Sequence, residues 1–115
     1  MKRIHHLTDA RDFRVLFKRG MRLESPLFQC MVRKNGLPYA RFAFIAARAT
    51  EKRAVRRNLL RRRAREWFRT RSALLAAPFD IAVVFKKEAV GSPRKKMYEE
   101  LDNVTKRIKV WSSSG

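Results

Sequence analysis

The chain has 115 residues, a formal net charge of +19 and a sequence pI of about 11.6. That length allows one domain with a modest core, and a hydrophobic share of 45% is typical of a folded protein rather than a disordered one. Proteins that tolerate so large a positive charge most often bind nucleic acid. No segment combines the broad apolar face and the basic face of a helix that lies on a membrane.

The sequence also indicates the cellular compartment of the protein. No stretch approaches the ~20 apolar residues that span a bilayer, and the first residues lack the apolar segment of a secretion signal. The single cysteine, Cys30, excludes an internal disulfide and fits a reducing compartment. We therefore predict a soluble, cytoplasmic protein with no membrane contact, formed by one domain over 1–115 with flexible ends at 1–6 and 112–115.

The first predicted helix covers residues 9–19. Thr8 is placed to cap it, Asp9 falls in its first turn, and Gly20 supplies a C-terminal stop. Its apolar residues follow one another at helical spacing: Ala10, Phe13, Leu16 and Phe17.

Strands are predicted at 27–32, 41–47 and 79–85. A turn at Asn35 and Gly36 makes a hairpin of the first two, and the third reads as a strand buried on both faces. Together with the helices, they predict an α/β fold. It is an α+β two-layer sandwich in the order α-β-β-β-α-β-α, with a small, mostly antiparallel sheet; this order contains four strands, one more than the three with assigned ranges.

A second helix, predicted at 51–71 with Thr50 as its cap, carries most of the positive charge. At about 100° per residue, one side of it is apolar, with Leu60, Ala64, Trp67 and Phe68. The other side is polar, with Asn58, Arg61, Arg62, Arg65 and Arg69. Arginine forks match phosphate oxygens, so this pattern predicts a helix that packs on a core and presents guanidinium groups to a polyanion.

A last helix is predicted from an apolar stripe of Met97, Leu101, Val104, Ile108 and Trp111. The sequence offers no catalytic constellation, because its ten carboxylates form no spaced ligand set with histidine and there is no zinc or phosphate-loop motif. His5 and His6 are adjacent in the terminus and read as exposed. We predict no catalytic residue, and neither a metal nor a cofactor bound by the protein alone.

The basic helix also resembles a known family. Residues 53–66 read Arg-Ala-Val-Arg-Arg-Asn-Leu-Leu-Arg-Arg-Arg-Ala-Arg-Glu. This is similar to the signature of the bacterial ribonuclease P protein component: a basic residue, Ala-Val, any residue, then Arg-Asn-Arg-x-Lys-Arg-x-x-Arg-Glu. The matching residues are Arg57, Asn58, Arg62, Arg65 and Glu66, while Leu59 and Arg63 depart from the pattern. Segments at 7–20, 41–48 and 79–87 resemble the family in the same order.

The resemblance implies a protein subunit of ribonuclease P, in which a catalytic RNA removes the 5′ leader of precursor tRNA with Mg²⁺. The implied partners are that RNA and precursor tRNA, with no obligate protein partner. The protein would be an accessory subunit of an endoribonuclease, with no catalysis of its own. The family fold also implies a left-handed βαβ crossover, against the general right-handed rule.

Two groups of site residues are predicted. The first contacts the catalytic RNA and contains Arg53, Arg56, Arg57, Asn58, Arg61, Arg62, Arg65 and Arg69, with Glu66 as an ion-pair partner of Arg62. The second would stack on and hold the leader in a cleft beside the first helix, and it contains Arg11, Phe13, Phe17, Phe28 and Arg48. Met31 stands where the family often has a tyrosine.

Other interpretations of these residues remain open. Phe13 and Phe17 are four apart and could belong to the core, and the cation row could be a solvated face. The alternative function is a ribosomal-type structural RNA-binding protein or an RNA chaperone, which the composition fits equally well. A DNA-binding module is less favoured, because no helix-turn-helix spacing is evident.

Overall fold

The structure of the protein, a computed structural model, describes residues 4–71 and 73–114. The elements in chain order are β1 (His5–His6), α1 (Ala10–Arg19), β2 (Met21–Glu24), β3 (Phe28–Lys34), β4 (Arg41–Ile45), α2 (Ala54–Arg71), β5 (Phe79–Phe85) and α3 (Arg94–Ser114). Short 3₁₀ turns lie at Ala73–Ala76 and Lys87–Ala89. The order therefore agrees with the prediction from α1 to α3 and adds β1 before α1.

The five strands form one sheet in the order β1-β4-β5-β3-β2. β3 runs antiparallel to β2 and β5, whereas β4 runs parallel to β5 and β1. The predicted α/β class is confirmed, and the sheet is mixed because β4 is parallel to both of its neighbours. The predicted hairpin of β3 and β4 is wrong, because β5 lies between these two strands and pairs with both. The chain passes from β4 through α2 to the adjacent parallel β5, which is the crossover that the resemblance implies; its left hand stays a prediction.

The two faces of the sheet carry two cores. Alternate residues of β5, such as Ile81 and Val83, enter a large core with the buried sides of α2 and α3. Ala82, between them, enters a smaller core on the other face, where Leu16 of α1 packs against Met31. The predicted two-layer arrangement thus describes the sheet with α2 and α3, and α1 adds a partial layer on the opposite face.

Asp9, rather than Thr8, caps α1. Its carboxylate accepts hydrogen bonds from the backbone N–H groups of Arg11, at 2.8 Å, and Asp12, at 3.3 Å. The prediction that Thr8 is the cap is wrong by one residue, because either position carries an oxygen able to accept these bonds and the sequence does not choose between them. At the other end, the Gly20 N–H donates to the Leu16 carbonyl at 2.8 Å. A Cβ at Gly20 would lie 2.4 Å from that oxygen, so the stop requires glycine.

α2 begins at Ala54, three residues later than predicted, and Thr50 does not cap it. The backbone N–H groups of Thr50 and Glu51 both donate to the Ala47 carbonyl, which closes a turn after β4. The Glu51 carboxylate then accepts a hydrogen bond from the Arg53 N–H at 3.0 Å. The residues between β4 and α2 are therefore used in a turn that local helix signals could not reveal.

The predicted flexible ends are largely taken into elements. His5–His6 pairs in parallel with Arg41 and Phe42 of β4 as strand β1, and α3 continues to Ser114. The flexibility of the two ends stays a prediction, and residues 1–3 and 115 lie outside the described part. Among the helices of the described residues, none is both long enough and apolar enough to cross a membrane.

Candidate nucleic-acid interface

The buried side of α2 fixes which of its side chains face outward. Leu60, Ala64, Trp67 and Phe68 are each at most 4% exposed, as the helical spacing predicted. The opposite side forms the arginine row, which we define as Arg57, Arg61, Arg62, Arg65 and Arg69 together with Asn58. Arg62 and Arg65 are exposed and make no hydrogen bond or ion pair with any described residue. Their charge is therefore directed to solvent.

Other members of the row are held by the backbone. The Arg57 Nη1 donates to the carbonyls of Glu51, at 3.0 Å, and Lys52, at 2.8 Å. Arg61 donates to the Asn58 side chain at 2.9 Å and to the Ala46 carbonyl at 3.2 Å. A guanidinium group has five donors, so each of these arginines is oriented while donors remain for a phosphate.

Glu66 pairs with Arg69 and not with Arg62. The Arg69 Nη2 lies 2.6 Å from the Glu66 carboxylate, one helical turn away. This hydrogen bond lowers the pKa of Glu66, and the charges of Arg65 and Arg62 lower it further. The predicted Arg62 pair is wrong because Arg69 reaches the same carboxylate, and the consequence is that Arg62 keeps its full charge for a partner.

Arg53 and Arg56, at the start of α2, are also exposed. The Arg56 Nη1 lies 4.0 Å from the Glu51 carboxylate, at the limit of an ion pair. Both residues extend the positive surface of the arginine row toward the turn after β4.

Four half-buried apolar side chains lie where α1 packs on the sheet, at the place predicted for a leader-binding cleft. Phe13 and Phe17 are half-buried against the smaller core, with their ring centroids 6.2 Å apart and their planes inclined by 22°. Ile45 and Val84, from β4 and β5, are half-buried against the same core. We call the surface formed by these four residues the α1 cleft. Each phenylalanine packs on the core and also keeps part of its ring in solvent, so the core interpretation holds in part and stacking on the leader stays a prediction.

Phe28 does not line the α1 cleft. It is fully buried in the large core on the other face of the sheet, opposite Phe85 in the strand register. Successive strand residues point to opposite faces, so Phe28 and Met31, three apart, cannot share one. The prediction for Phe28 is wrong, and the alternation within β3 was the signal that would have excluded it. Met31 faces α1 but is 1% exposed, so it forms the floor of the cleft.

Ile45 and Val84 were missed by the sequence prediction. The alternation of β4 places Ile45 on the same face as Ala43, which packs under α1. The predicted cations Arg11 and Arg48 are both exposed, the first in α1 and the second in the turn after β4.

An ion-pair network joins α1 to the sheet and was also missed. Arg41 donates to both carboxylate oxygens of Asp80, at 2.8 and 2.7 Å, and to Asp12 of α1 at 3.1 Å. Asn35 donates to the same Asp80 carboxylate at 3.0 Å. The hydrogen bond with Asp80 raises the pKa of Arg41. Because Asp12 and Phe13 are neighbours in α1, this network sets the position of α1 over the sheet.

A known family and several related proteins match this chain over most of its length. The family model described as Ribonuclease P matches residues 1–109. The ribonuclease P protein component of Thermotoga maritima is 40% identical over 94 residues, which cover 82% of this chain and 73% of that protein. That of Histophilus somni is 30% identical over 95 residues, covering 83% and 79%.

Solved structures show the same fold. The ribonuclease P protein of Thermotoga maritima superposes with a TM-score of 0.80 at 34% identity, covering 90% of this chain and 96% of that one. That of Staphylococcus aureus superposes with a TM-score of 0.82 at 24% identity, covering 94% and 98%. The chain therefore belongs to the family of ribonuclease P protein components, the protein part of an endoribonuclease of tRNA processing.

Proposed function

We propose that this protein binds the catalytic RNA of ribonuclease P through the arginine row and the 5′ leader of precursor tRNA in the α1 cleft. The observation that carries the proposal is the exposure of Arg62 and Arg65 on a helix whose opposite side is locked into the core. A rigid element presents these charges at fixed spacing, and fixed spacing is what a folded RNA backbone can match.

The energetics of α2 favour a bound polyanion. Like charges at helical spacings of three and four residues destabilise an isolated helix by about 0.2–0.5 kcal/mol per pair. Glu66 forms its ion pair with Arg69, and it interacts with Arg62 and Arg65 only through their charges, without a direct contact. RNA phosphates would neutralise the remaining charges and release counterions, which is the main source of affinity in such complexes.

The α1 cleft suits a strand of variable sequence. Every base has a π-face, so stacking on Phe13 and Phe17 would tolerate any leader, at about 1–3 kcal/mol per stacked base. The apolar floor of Ile45 and Val84 offers no side-chain hydrogen-bonding group to read base edges. We therefore propose leader binding without sequence selectivity, with Arg11 and Arg48 available to the backbone phosphates.

We assign bond cleavage to the RNA and its Mg²⁺ ions. Among the described residues, no three His, Cys, Asp or Glu side chains come together as metal ligands. The protein would act by holding two polyanions, the catalytic RNA and the substrate, on one basic scaffold. We place this work in the cytoplasm, in a single domain with Cys30 as a buried thiol whose pKa is raised by burial to about 12.

The test is multiple-turnover cleavage of precursor tRNA by the catalytic RNA at low magnesium, with and without the protein. We expect turnover to rise on addition of the protein, because its cations lessen the repulsion that magnesium otherwise screens. Tight RNA binding without any stimulation of turnover would instead favour a structural RNA-binding protein or an RNA chaperone.

A further inference from the structure

A second positive surface lies on the other flank of α2. A groove of about 510 Å³ runs between α2 and the first half of α3, and it is lined by Leu59, Arg62, Arg63, Glu66, Thr70, Arg71, Arg94 and Tyr98. A smaller hollow of about 270 Å³ shares Leu59 and Arg63 with it and includes Ser92 in the loop before α3. We call these two hollows together the α2–α3 groove.

The charge of the groove is unbalanced. Four arginines line the 510 Å³ hollow against one carboxylate, that of Glu66, which is already engaged by Arg69. The adjoining hollow toward α3 adds Lys95 and two carboxylates, those of Glu99 and Asp102, and Asp102 is engaged by Lys106 at 3.0 Å. Arg71 is held in place with its guanidinium carbon 4.7 Å from the centroid of the Tyr98 ring. Arg63 is held by a hydrogen bond from its Nη1 to the Ser92 carbonyl at 3.3 Å. Arg63 and Arg71 are therefore oriented by contacts within the fold.

Two buried polar atoms sit at one end of the groove without a hydrogen-bond partner in the described chain. They are the Arg63 Nε and the Ser92 Oγ. An unsatisfied buried donor costs about 1–3 kcal/mol, and more when the group is charged. Both atoms have almost no accessible surface, so they mark the closed end of the groove and are not themselves contacts for a ligand.

The start of α3 adds a further reason for an anion. Its first residues are Arg94, Lys95 and Lys96, and its first turn contains no acidic residue. Cations at a helix N-terminus are unfavourable, because the exposed N–H groups there already carry partial positive charge. A bound anion would be stabilised both by these N–H groups and by the side chains beside them.

We propose that the α2–α3 groove binds a phosphodiester group of an RNA strand through Arg63, Arg71 and Arg94, separate from the phosphate held by Arg65 of the arginine row; Arg62 lies between the two surfaces and lines the groove as well. At 100° per residue, Arg63 lies about 160° around the helix from Arg65. One phosphate cannot contact both Arg63 and Arg65, so RNA would contact α2 on two sides. This inference rests on the proposed function and adds to it a second contact surface that contains Arg63, Arg71 and Arg94.

The decisive variant is Arg94→Gln, compared with Lys109→Gln as its control. Both positions are exposed on α3, and each change removes one positive charge, but only Arg94 lines the groove. The measurement is the affinity of the full chain for the ribonuclease P RNA as a function of salt concentration. For Arg94→Gln we expect affinity to fall roughly threefold to tenfold and the slope of log affinity against log salt to flatten by about 0.7–0.9. Lys109→Gln should leave the slope unchanged.

A second variant, Arg63→Gln, tests the buried end of the groove. It should flatten the slope by a similar amount, and its melting temperature reports whether the fold has survived. If this variant unfolds, Arg94→Gln still decides the matter, because that side chain is exposed and its loss leaves no cavity.

A combination with the arginine row separates the two proposals. The row variant used here is Arg65→Ala, because Arg65 does not line the groove whereas Arg62 does. In a chain that carries Arg94→Gln with Arg65→Ala, the fold-changes should multiply if the surfaces hold different phosphates. A combined loss no greater than that of the row variant alone would overturn the separate site. Groove variants that behave like Lys109→Gln while the row variant loses affinity would also overturn it and leave the proposed function standing. Unchanged affinity in every variant would overturn both.

Discussion

At the scale of the residue, the informative feature is the choice of cations that have no partner within the described part of the protein. Arg41 and Arg69 are engaged by carboxylates, and Arg57 and Arg61 by carbonyls. Arg62 and Arg65 are exposed and without such a partner in the described residues. The function of this surface is therefore concentrated in a few side chains whose neighbours are already satisfied.

Removal of two exposed cations should be visible in the salt dependence of RNA binding. If the protein neutralises about six phosphates, log affinity should fall with log salt at a slope of roughly −4 to −5. Arg62→Ala with Arg65→Ala should make that slope shallower by about 1.5–2, because two counterion-releasing contacts are lost. Lys34→Ala with Lys109→Ala, on β3 and α3, removes the same charge from exposed positions and serves as the control. An equal change in both pairs would indicate that net charge alone matters.

Phe13 and Phe28 make a matched pair of aromatic positions on opposite faces of the sheet. Phe13→Ala should weaken binding of leader-bearing precursor tRNA by about 1–3 kcal/mol and leave mature tRNA unaffected, because only the leader would stack in the α1 cleft. The measurement is the ratio of the two dissociation constants.

Phe28→Ala is the contrasting variant. It opens a cavity in the large core and should destabilise the fold by about 3–5 kcal/mol without changing that ratio. A parallel loss for both tRNAs in Phe13→Ala would show that Phe13 acts through the core alone.

At the scale of the element, helix ends decide where the functional side chains stand. α1 is fixed at its start by the Asp9 cap, at its side by the Asp12–Arg41 ion pair and at its end by Gly20. α2 is fixed by the turn that Ala47 closes and by its buried apolar side. The α1 cleft and the arginine row are thus built on rigid elements, and the contacts that hold those elements are themselves polar and testable.

The Asp9 cap predicts how the stability of the protein depends on pH in the acidic range. Asp9→Ala should lower the melting temperature at neutral pH, whereas Thr8→Ala should not, because only Asp9 accepts the N–H groups of the first turn. These hydrogen bonds lower the pKa of Asp9 below its ordinary value of 3.8. The stabilisation is therefore complete above that value and disappears as pH falls through the lower pKa of the folded state. Thermal melts should show the two chains converging in that acidic range, and a gap that persisted below it would exclude the cap as its cause.

The Asp12–Arg41 ion pair predicts that the position of α1 over the sheet affects leader binding. Asp12→Asn should weaken leader binding modestly, because α1 loses its charged link to the sheet, while Arg41 remains engaged by Asp80. An exposed ion pair contributes about 0–1 kcal/mol, so stability should change little. The check is the affinity for leader-bearing and mature tRNA beside the melting temperature. A loss of stability without a loss of leader selectivity would contradict a positioning role.

At the scale of the whole molecule, the positive charge acts on the fold itself. A net charge of +19 on 115 residues repels itself, so salt should stabilise the free protein by screening. We expect the melting temperature to rise as sodium chloride increases from low to moderate concentration. It should rise further at equal ionic strength with a polyanion, because the charges fixed on the folded surface bind it more tightly than those of the unfolded chain. A melting temperature that fell with salt would mean that native ion pairs outweigh the repulsion.

The sequence by itself determined what periodicity and charge can encode. The buried side of α2, strand β5 and the α/β class followed from spacing, because burial imposes a period of 3.6 on helices and 2 on strands. The signature at residues 53–66 gave the family. These features are local, because each depends on the residues of one continuous segment of the chain.

The tertiary structure decided everything that joins distant stretches. Only the sheet register shows that Phe28 belongs to the large core and that Ile45 and Val84 floor the α1 cleft. Only packing shows that Arg41 links α1 to Asp80, and that Arg63 meets Ser92 across a groove. Such pairs are separated by tens of residues, so their meeting depends on how the elements pack, which is a property of the whole fold and of no single segment.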